Sequence, residues 1–576
     1  MLISNKNIFK LLNKLVFMKG KIYIVILLLL GLLGIKSLFH SGFYTSHDGR
    51  HQIIRLKHFH QGLLDGQLPV RWAGNALAGF GYPLFVFTYR LPFWLAEGWY
   101  LVSGNLGGAI KFVFIITYLA SGLSMYWFSK KLWSSKLAGF LSGFLYLWAP
   151  YRFLNIFVRA ALGEAVTFVF IPLVFLGLLN LRKNSKKKFF WLNLTAFSLA
   201  GVILSHAITL FLWLIPLISW FGFNLVKTKE RIKYLISSFL SGLISLLLTT
   251  YYWLPAALER KNTIVADVFG GLGGYYQAHF VTLKQLLYSK WGYGFSMPGV
   301  KDDMMSFQVG IAQWLVVLTS LLLLFFTFTK FNKKIIKVVY SKIIFFLLTF
   351  FFSIYLMLAN SNWLYVYINR FLMVDIPWRF LGVAVFCASI LFGSLAVGLK
   401  NNFFKWGLIG FIFVLAFYGN RNHLKVNQYT YFPDSEYWQS EETSSEHNDY
   451  APRGFNYTNN EKMKDQLNPE SGESHNNLLE RKSNFFKFKS QVESEKAEII
   501  TKLAYYPGWQ LFIDGKKTEI SYQDDGRIKI KLTQGDHLVE LIFKETKLRL
   551  VSNLVSFLTL IVFISLGIKK YARIKR

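Results

Sequence analysis

About twelve apolar windows, each near the roughly 20 residues a helix needs to cross bilayer hydrocarbon, limit what this chain can become. They fall at 22–39, 108–128, 137–150, 164–181, 189–204, 207–225, 234–254, 308–328, 343–359, 380–398, 404–419 and 551–568. The stretch 189–225 is too long for one span and short for two unless the chain turns at Ser205-His206. Phe80 to Val102 is apolar as well, but Pro83, Arg90, Pro92 and Glu97 interrupt it, which predicts interfacial helices or a re-entrant hairpin.

A chain that is 53% hydrophobic yet carries a formal charge of +33 is excluded from the ordinary soluble globules and reads as a polytopic membrane protein. Its basic residues gather between apolar windows, where cytoplasmic loops and anionic headgroups collect them, so they call for a lipid bilayer and no nucleic acid. One alternating assignment puts Lys130 to Lys136, Arg182 to Lys188, Lys227 to Lys233, Lys330 to Lys337, Lys400 with Lys405, and Lys569 to Arg576 on one side with the N-terminus. That predicts a plasma-membrane protein with both termini cytoplasmic and the loops 40–107, 151–163, 255–307 and 360–379 facing outward, as does 420–550. Lys6, Lys10, Lys14, Lys19 and Lys21 precede the first window without a small-residue cleavage pattern, so this window is expected to stay as an anchor. The single cysteine, Cys387, has no intrachain partner.

Residues 1–420 therefore read as a transmembrane domain, and 421–483, rich in Asn, Ser and Glu, as an irregular polar linker. From 484 to 546 apolar and polar residues alternate, predicting a small antiparallel β-domain of sandwich type before the final span and the basic tail, 551–576. Asp514-Gly515 is its strong hairpin signal and Gln534-Gly535 a weaker turn. Tyr505, Tyr506 and Trp509 are available to stack on a sugar, with at least one of them expected in the core.

Polar chemistry concentrates just after the first window. Asp48 lies between His47 and Gly49, with Arg50, His51 and Gln52 following. A carboxylate there is placed to act as base on an acceptor hydroxyl, with neighbouring cations tuning it and holding a phosphate; it is equally placed to cap the helix that Ile53, Ile54, Leu56 and Phe59 predict. Arg159 and Glu164 stand where charge becomes expensive and read as an ion pair or as a phosphate contact. His206 reads as a hydrogen-bonded structural residue or a ligand. Arg379, after Pro377-Trp378, is placed either to fork onto a lipid phosphate or to anchor in the interface. The run Gly270 to Tyr276, with Glu259, Asp267, Asp302 and Asp303 around it, suggests a lid. No Walker, CxxC, HExxH or nucleophile-elbow motif is present, which leaves ATP hydrolysis, structural zinc and serine hydrolysis unsupported.

Asp48, Gln52, Leu64-Asp65-Gly66, Trp72 and Gly79 to Pro83 together resemble the first outward loop of the YfhO-type bacterial membrane proteins and of the family labelled 6-pyruvoyl-tetrahydropterin synthase-related. Both look like branches of the GT-C glycosyltransferases. The likeness recurs at Arg159 to Glu164, Trp253 to Glu259, Pro377 to Gly382, and Tyr505 to Trp509 before Asp514-Gly515. The resemblance implies transfer of a sugar from a polyprenyl-phosphate carrier to a cell-envelope glycan or lipid acceptor on the outer face. It carries Asp48 over as base and Arg159 and Arg379 as candidate phosphate contacts; the residues themselves, apart from the resemblance, offer His47, Arg50, His51, Glu164 and His206 as candidates to line the substrate. Several GT-C enzymes show two adjacent acids in this loop; His47-Asp48-Gly49 departs from that pattern and puts a divalent cation in doubt, and no cofactor is called for. The competing class is a transporter or scaffold for lipid-linked saccharides, whose mark would be ionisable groups in mid-span; the centres of these windows hold almost none.

Overall fold

The computed structural model describes residues 5–183, 187–268, 276–296, 305–328, 333–370, 374–444, 448–456, 463–522 and 525–575. Among them nine helices are long and apolar enough to cross a membrane, and three shorter apolar helices, Gly20–Gly34, Lys136–Leu147 and Ile311–Phe326, occupy the remaining expected places. The chain is a helical, multi-pass membrane protein with a C-terminal β-sheet. The doubtful stretch does divide, into helices Lys188–Ser205 and Ala207–Lys227, at His206.

The described chain forms two compact units. The first comprises 1–49, 110–243 and 272–431; the second comprises 50–109, 244–271 and 432–576. Within the first, Leu162–Leu181 and the stretch Pro377–Gly398 are the central helices, with 83% and 89% of their apolar windows buried, whereas Asn402–Asn420 buries 17%. The outer helix leaves its apolar side chains to lipid, the solvent they suit. Strand β1 (Phe43–Tyr44) pairs antiparallel with β2 (Tyr429–Thr430), closing the first unit's polar end.

The second unit holds the sheet. Strands β3 (Leu467–Ser471), β4 (Ser474–Lys482), β5 (Phe485–Ala504), β6 (Trp509–Ile513), β7 (Lys516–Thr518), β8 (Ser521–Tyr522) and β9 (Arg527–Phe543) form one seven-stranded antiparallel sheet. Two long strands, β5 and β9, pair along most of their length, and β3 and β4 both pair with β5. The expected sandwich is thus a single sheet, and its first two strands lie inside the expected linker 421–483. Their side chains are mostly exposed and polar, so no apolar alternation marked them. Gln534-Gly535 is not a turn either: β9 runs through it, and the register breaks between Val492 opposite Gly535 and Lys496 opposite Thr533, a bulge that bends the long pair.

Phe486, Phe488, Ile499, Ile530, Val539, Leu541 and Phe543 make the sheet's buried face, and Tyr506 and Trp509 belong to that core. They are therefore not exposed platforms; Tyr505 stacks on Tyr522 at 4.2 Å. Trp72 and Val86 complete the same core, Trp72 lying edge-on to Trp509 at 5.8 Å. The apolar stretch after Trp72 forms the helices Leu84–Phe87 and Leu91–Ser103. Beneath the core, Arg549 makes a buried pair with Glu259, 2.7 Å apart, and Glu259 also accepts from Tyr506.

Asp514 and Gly515, at φ +49° and +76°, join β6 to β7 as the sequence predicts. A Cβ on Gly515 meets nothing within 4 Å. Gly515→Val therefore exposes the backbone cost alone, roughly 1–2 kcal/mol, while Gly515→Asn, which tolerates this conformation, should lose little. Thermal unfolding of the purified variants checks both.

Candidate functional site

The first unit carries a charge network built from three stretches of chain. A short helix, Pro150–Phe153, continues into a π-helical turn, Leu154–Val158, and the chain then reverses at Ala160, whose φ of +51° is uncommon for a residue with a Cβ. This places Tyr151, Asn155 and Arg159 facing Glu164, in the first turn of Leu162–Leu181. Glu164 is the hub: it accepts from Arg159 at 3.0 Å, Tyr151 at 3.0 Å and Asn155 at 3.2 Å, and pairs with Arg379 at 3.1 Å. Arg379 also bonds both oxygens of Asp375, at 2.8 and 2.9 Å, and Arg159 lies over the Trp378 ring at 4.8 Å.

Two guanidinium groups thus meet two carboxylates in a buried, neutral network. That is the ion-pair alternative for Arg159 and Glu164, extended to Arg379. The adjoining cavity, lined by Tyr151, Glu164, Thr209 and Arg379 among others, holds about 10 Å³, about one water. A phosphate at Arg159 or Arg379 would have to displace a carboxylate.

His206 caps the helix Ala207–Lys227, its Nδ1 accepting from the Thr209 N–H at 3.2 Å. Burial first, and then the Arg379 charge, push its pKa down to about 4, so the imidazole is neutral and serves as a cap.

Asp48 joins this network through the backbone. The His47 and Asp48 N–H groups donate to the carbonyls of Val158 and Arg159, each at 2.9 Å. His47 Nε2 donates to the Tyr293 and Gly294 carbonyls at 3.3 and 3.1 Å, and its ring stacks on Phe295 at 4.4 Å. Burial and Arg159 lower the His47 pKa despite the opposing Asp48 charge. Asp48 directly precedes the helix Gly49–Leu64 and is partly exposed. Among the described residues its carboxylate makes no hydrogen bond or close ion pair, including none to the helix it precedes; Arg159 and His47 act on it through space.

Arg50 and His51, expected beside Asp48, belong to the second unit. Arg50 bridges Glu436 at 3.1 Å and Glu442 at 2.9 Å, so two carboxylates already occupy the guanidinium expected to meet phosphate. His51 lines a cavity of about 190 Å³ with Glu441, Glu442 and Ser444. Among the described residues no three His, Cys, Asp or Glu side chains group as metal ligands. Gly270 to Tyr275, Asp302 and Asp303, the core of the expected lid, lie outside the described residues. The sequence reading did not include Asp375, Tyr151 and Asn155; the signal for them is a four-residue spacing, of Asp375 to Arg379 and of Tyr151, Asn155 and Arg159.

No family model matches this chain. It is 24% identical over 249 residues to an uncharacterized protein of Lactococcus lactis subsp. cremoris (strain MG1363), a stretch covering 42% of this chain and 40% of that protein. Among solved structures it is similar to the Archaeoglobus fulgidus oligosaccharyltransferase, crystallised tethered through a disulfide bond to an acceptor peptide containing the NVT sequon; sequence identity is 10% and the TM-score 0.40. That match covers 74% of this chain and 60% of the oligosaccharyltransferase, so the chain spans less than two thirds of the length of each of these two proteins.

Proposed function

We propose that the chain is a membrane glycosyltransferase of the GT-C type that moves a sugar from a polyprenyl-phosphate carrier to an extracytoplasmic acceptor, with Asp48 as general base. One observation carries the reading: Glu164 and Asp375 are committed to arginines, while the Asp48 carboxylate has no bonded partner among the described residues and is partly exposed. In the reaction, Asp48 takes the proton of an acceptor hydroxyl as its oxygen bonds to the anomeric carbon. The bond from that carbon to phosphate oxygen breaks, and the polyprenyl phosphate leaves with the electron pair. Glu164, Arg159 and Arg379 are positioning residues that fix the backbone at 158–159 on which Asp48 hangs. The test is turnover of a polyprenyl-phosphate sugar by purified protein with and without the Asp48 carboxylate.

The reading requires Asp48 to face outward, with residues 421–550 on the same side. Protease added to intact protoplasts should then cut between 421 and 466, where the described chain holds only one two-residue strand and one short helix. Cleavage that occurs only after permeabilisation would invert the topology and remove the proposed chemistry from the outer face.

A further inference from the structure

In the first unit a cavity of about 620 Å³ opens at one end of the helices Ile311–Phe328 and Asn402–Asn420. Tyr288, Trp291, Trp314 and Tyr418 line it together with Lys290 and Arg421, and none of the described residues that line it is acidic. Both cations are exposed and neither makes an ion pair among the described residues. Arg421 lies 3.8 Å over the Tyr418 ring and donates from Nη1 to the Tyr418 carbonyl at 2.6 Å, and the other N–H groups of its guanidinium make no bond among the described residues.

The walls are fixed by hydrogen bonds. The His423 ring stacks on Trp291 at 4.0 Å, accepts from Gln308 at 3.2 Å, and donates through Nδ1 to Asn420 at 2.9 Å. Asn420 in turn donates to the Trp148 carbonyl, and Trp314 Nε1 to that of Leu286. Burial, then Arg421, push the His423 pKa down to about 4, so this wall stays neutral.

Below the lip runs an apolar stripe. Ile311, Leu318 and Leu322 on one helix, with Tyr418, Val414 and Phe411 on the other, are all exposed. Gly419 keeps the top of the stripe narrow: a Cβ there would stand 3.3 Å from Ile311 Cγ2. Two segments lead from the cavity to the first loop. Ser289 to Trp291 line it, and the next turn of chain, Tyr293 to Phe295, holds His47. Arg421 to His423 line it, and Tyr429–Thr430 pair with Phe43–Tyr44.

We propose that this cavity seats the phosphate and first sugar of a polyprenyl-phosphate-linked donor, with Lys290 and Arg421 on the phosphate, aromatic rings against the sugar, and the carrier chain along the stripe. The identity of the sugar-bearing head rests on the glycosyltransferase reading; the binding of a lipid phosphate does not. Two cations that face no acid among the described residues select an anion, and the apolar stripe selects a lipid over a free phosphate. The volume lies in the range of ordinary ligand sites and exceeds what a phosphate alone would fill.

The experiment measures binding of a long-chain polyprenyl phosphate to the purified full-length protein, competed with the matching polyprenol, phosphatidylglycerol and inorganic phosphate. Losing two charge-assisted contacts should weaken binding of the polyprenyl phosphate to the K290A/R421A double variant about tenfold or more. Polyprenol and inorganic phosphate should compete poorly. Gly419→Leu, which narrows the lip with both charges intact, should also weaken binding and is read if the double variant fails to fold. Wild-type affinity in the variants overturns the proposal. So does equal competition by inorganic phosphate, which marks a free-anion site, or by phosphatidylglycerol, which marks a bilayer-lipid site. Weakened binding in K290A/R421A alongside full turnover in Asp48→Asn would sink the glycosyltransferase reading and leave the lipid-phosphate site standing.

Discussion

Replacing Asp48 with asparagine should lower sugar transfer by roughly 10²–10⁴-fold, the usual contribution of a positioned general base. The substitution preserves shape and leaves the backbone N–H that reaches the Arg159 carbonyl in place. Because the carboxylate makes no hydrogen bond among the described residues, little stability should be lost with it, and donor affinity should stay near wild type. The measurement is turnover of a polyprenyl-phosphate sugar by purified wild type and variant, with donor affinity determined separately. Near-wild-type turnover would return the chain to the transporter or scaffold class.

The second large effect is on folding. Glu164→Gln keeps the size of the hub but removes its charge, leaving Arg159 and Arg379 buried with Asp375 as the one acid still hydrogen-bonded to either of them among the described residues. Breaking a buried pair from one side typically costs about 3–5 kcal/mol, because the remaining charge stays desolvated. Here one carboxylate serves two cations, so the upper part of that range is expected. Asp375→Asn is the contrast: its side chain is 22% exposed against 5% for Glu164, and water can replace part of what is lost. Thermal unfolding of the purified variants should rank Glu164→Gln well below Asp375→Asn. Equal melting temperatures would mean that the network does not hold this end of the unit together.

The membrane spans were legible because hydrocarbon imposes a length and a composition on each, and even the weak division at Ser205-His206 left a signal. The long strands β5 and β9 were legible from alternation, since one face of each is buried. β3 and β4 were not, because apart from Leu467 and Leu478, which pack on the core, their half-buried positions are polar and carry no period in hydrophobicity. Arg159, Glu164 and Arg379 stood out as charges near hydrocarbon, but that argument says only that they need partners. Which partners depended on a π-helical turn and a left-handed alanine, neither of which has a residue signature. Arg50 and His51 were grouped with Asp48 by adjacency, yet the boundary between the compact units falls at Gly49.

The place of Trp72 in the sheet's core has a consequence for how the chain is made. Gln67, which donates to the Trp72 carbonyl, also donates to Ser483, 416 residues further along. At roughly 5–20 residues per second of synthesis, the segment around Trp72 waits on the order of a minute for strands that do not yet exist. During that wait its tryptophan and the neighbouring Val86 have no sheet to cover them, which makes the nascent loop a client for holding factors at the membrane surface. It also makes the C-terminal sheet a poor candidate for excision: a chain truncated before residue 484 would leave Trp72 and Val86 without the core that covers them.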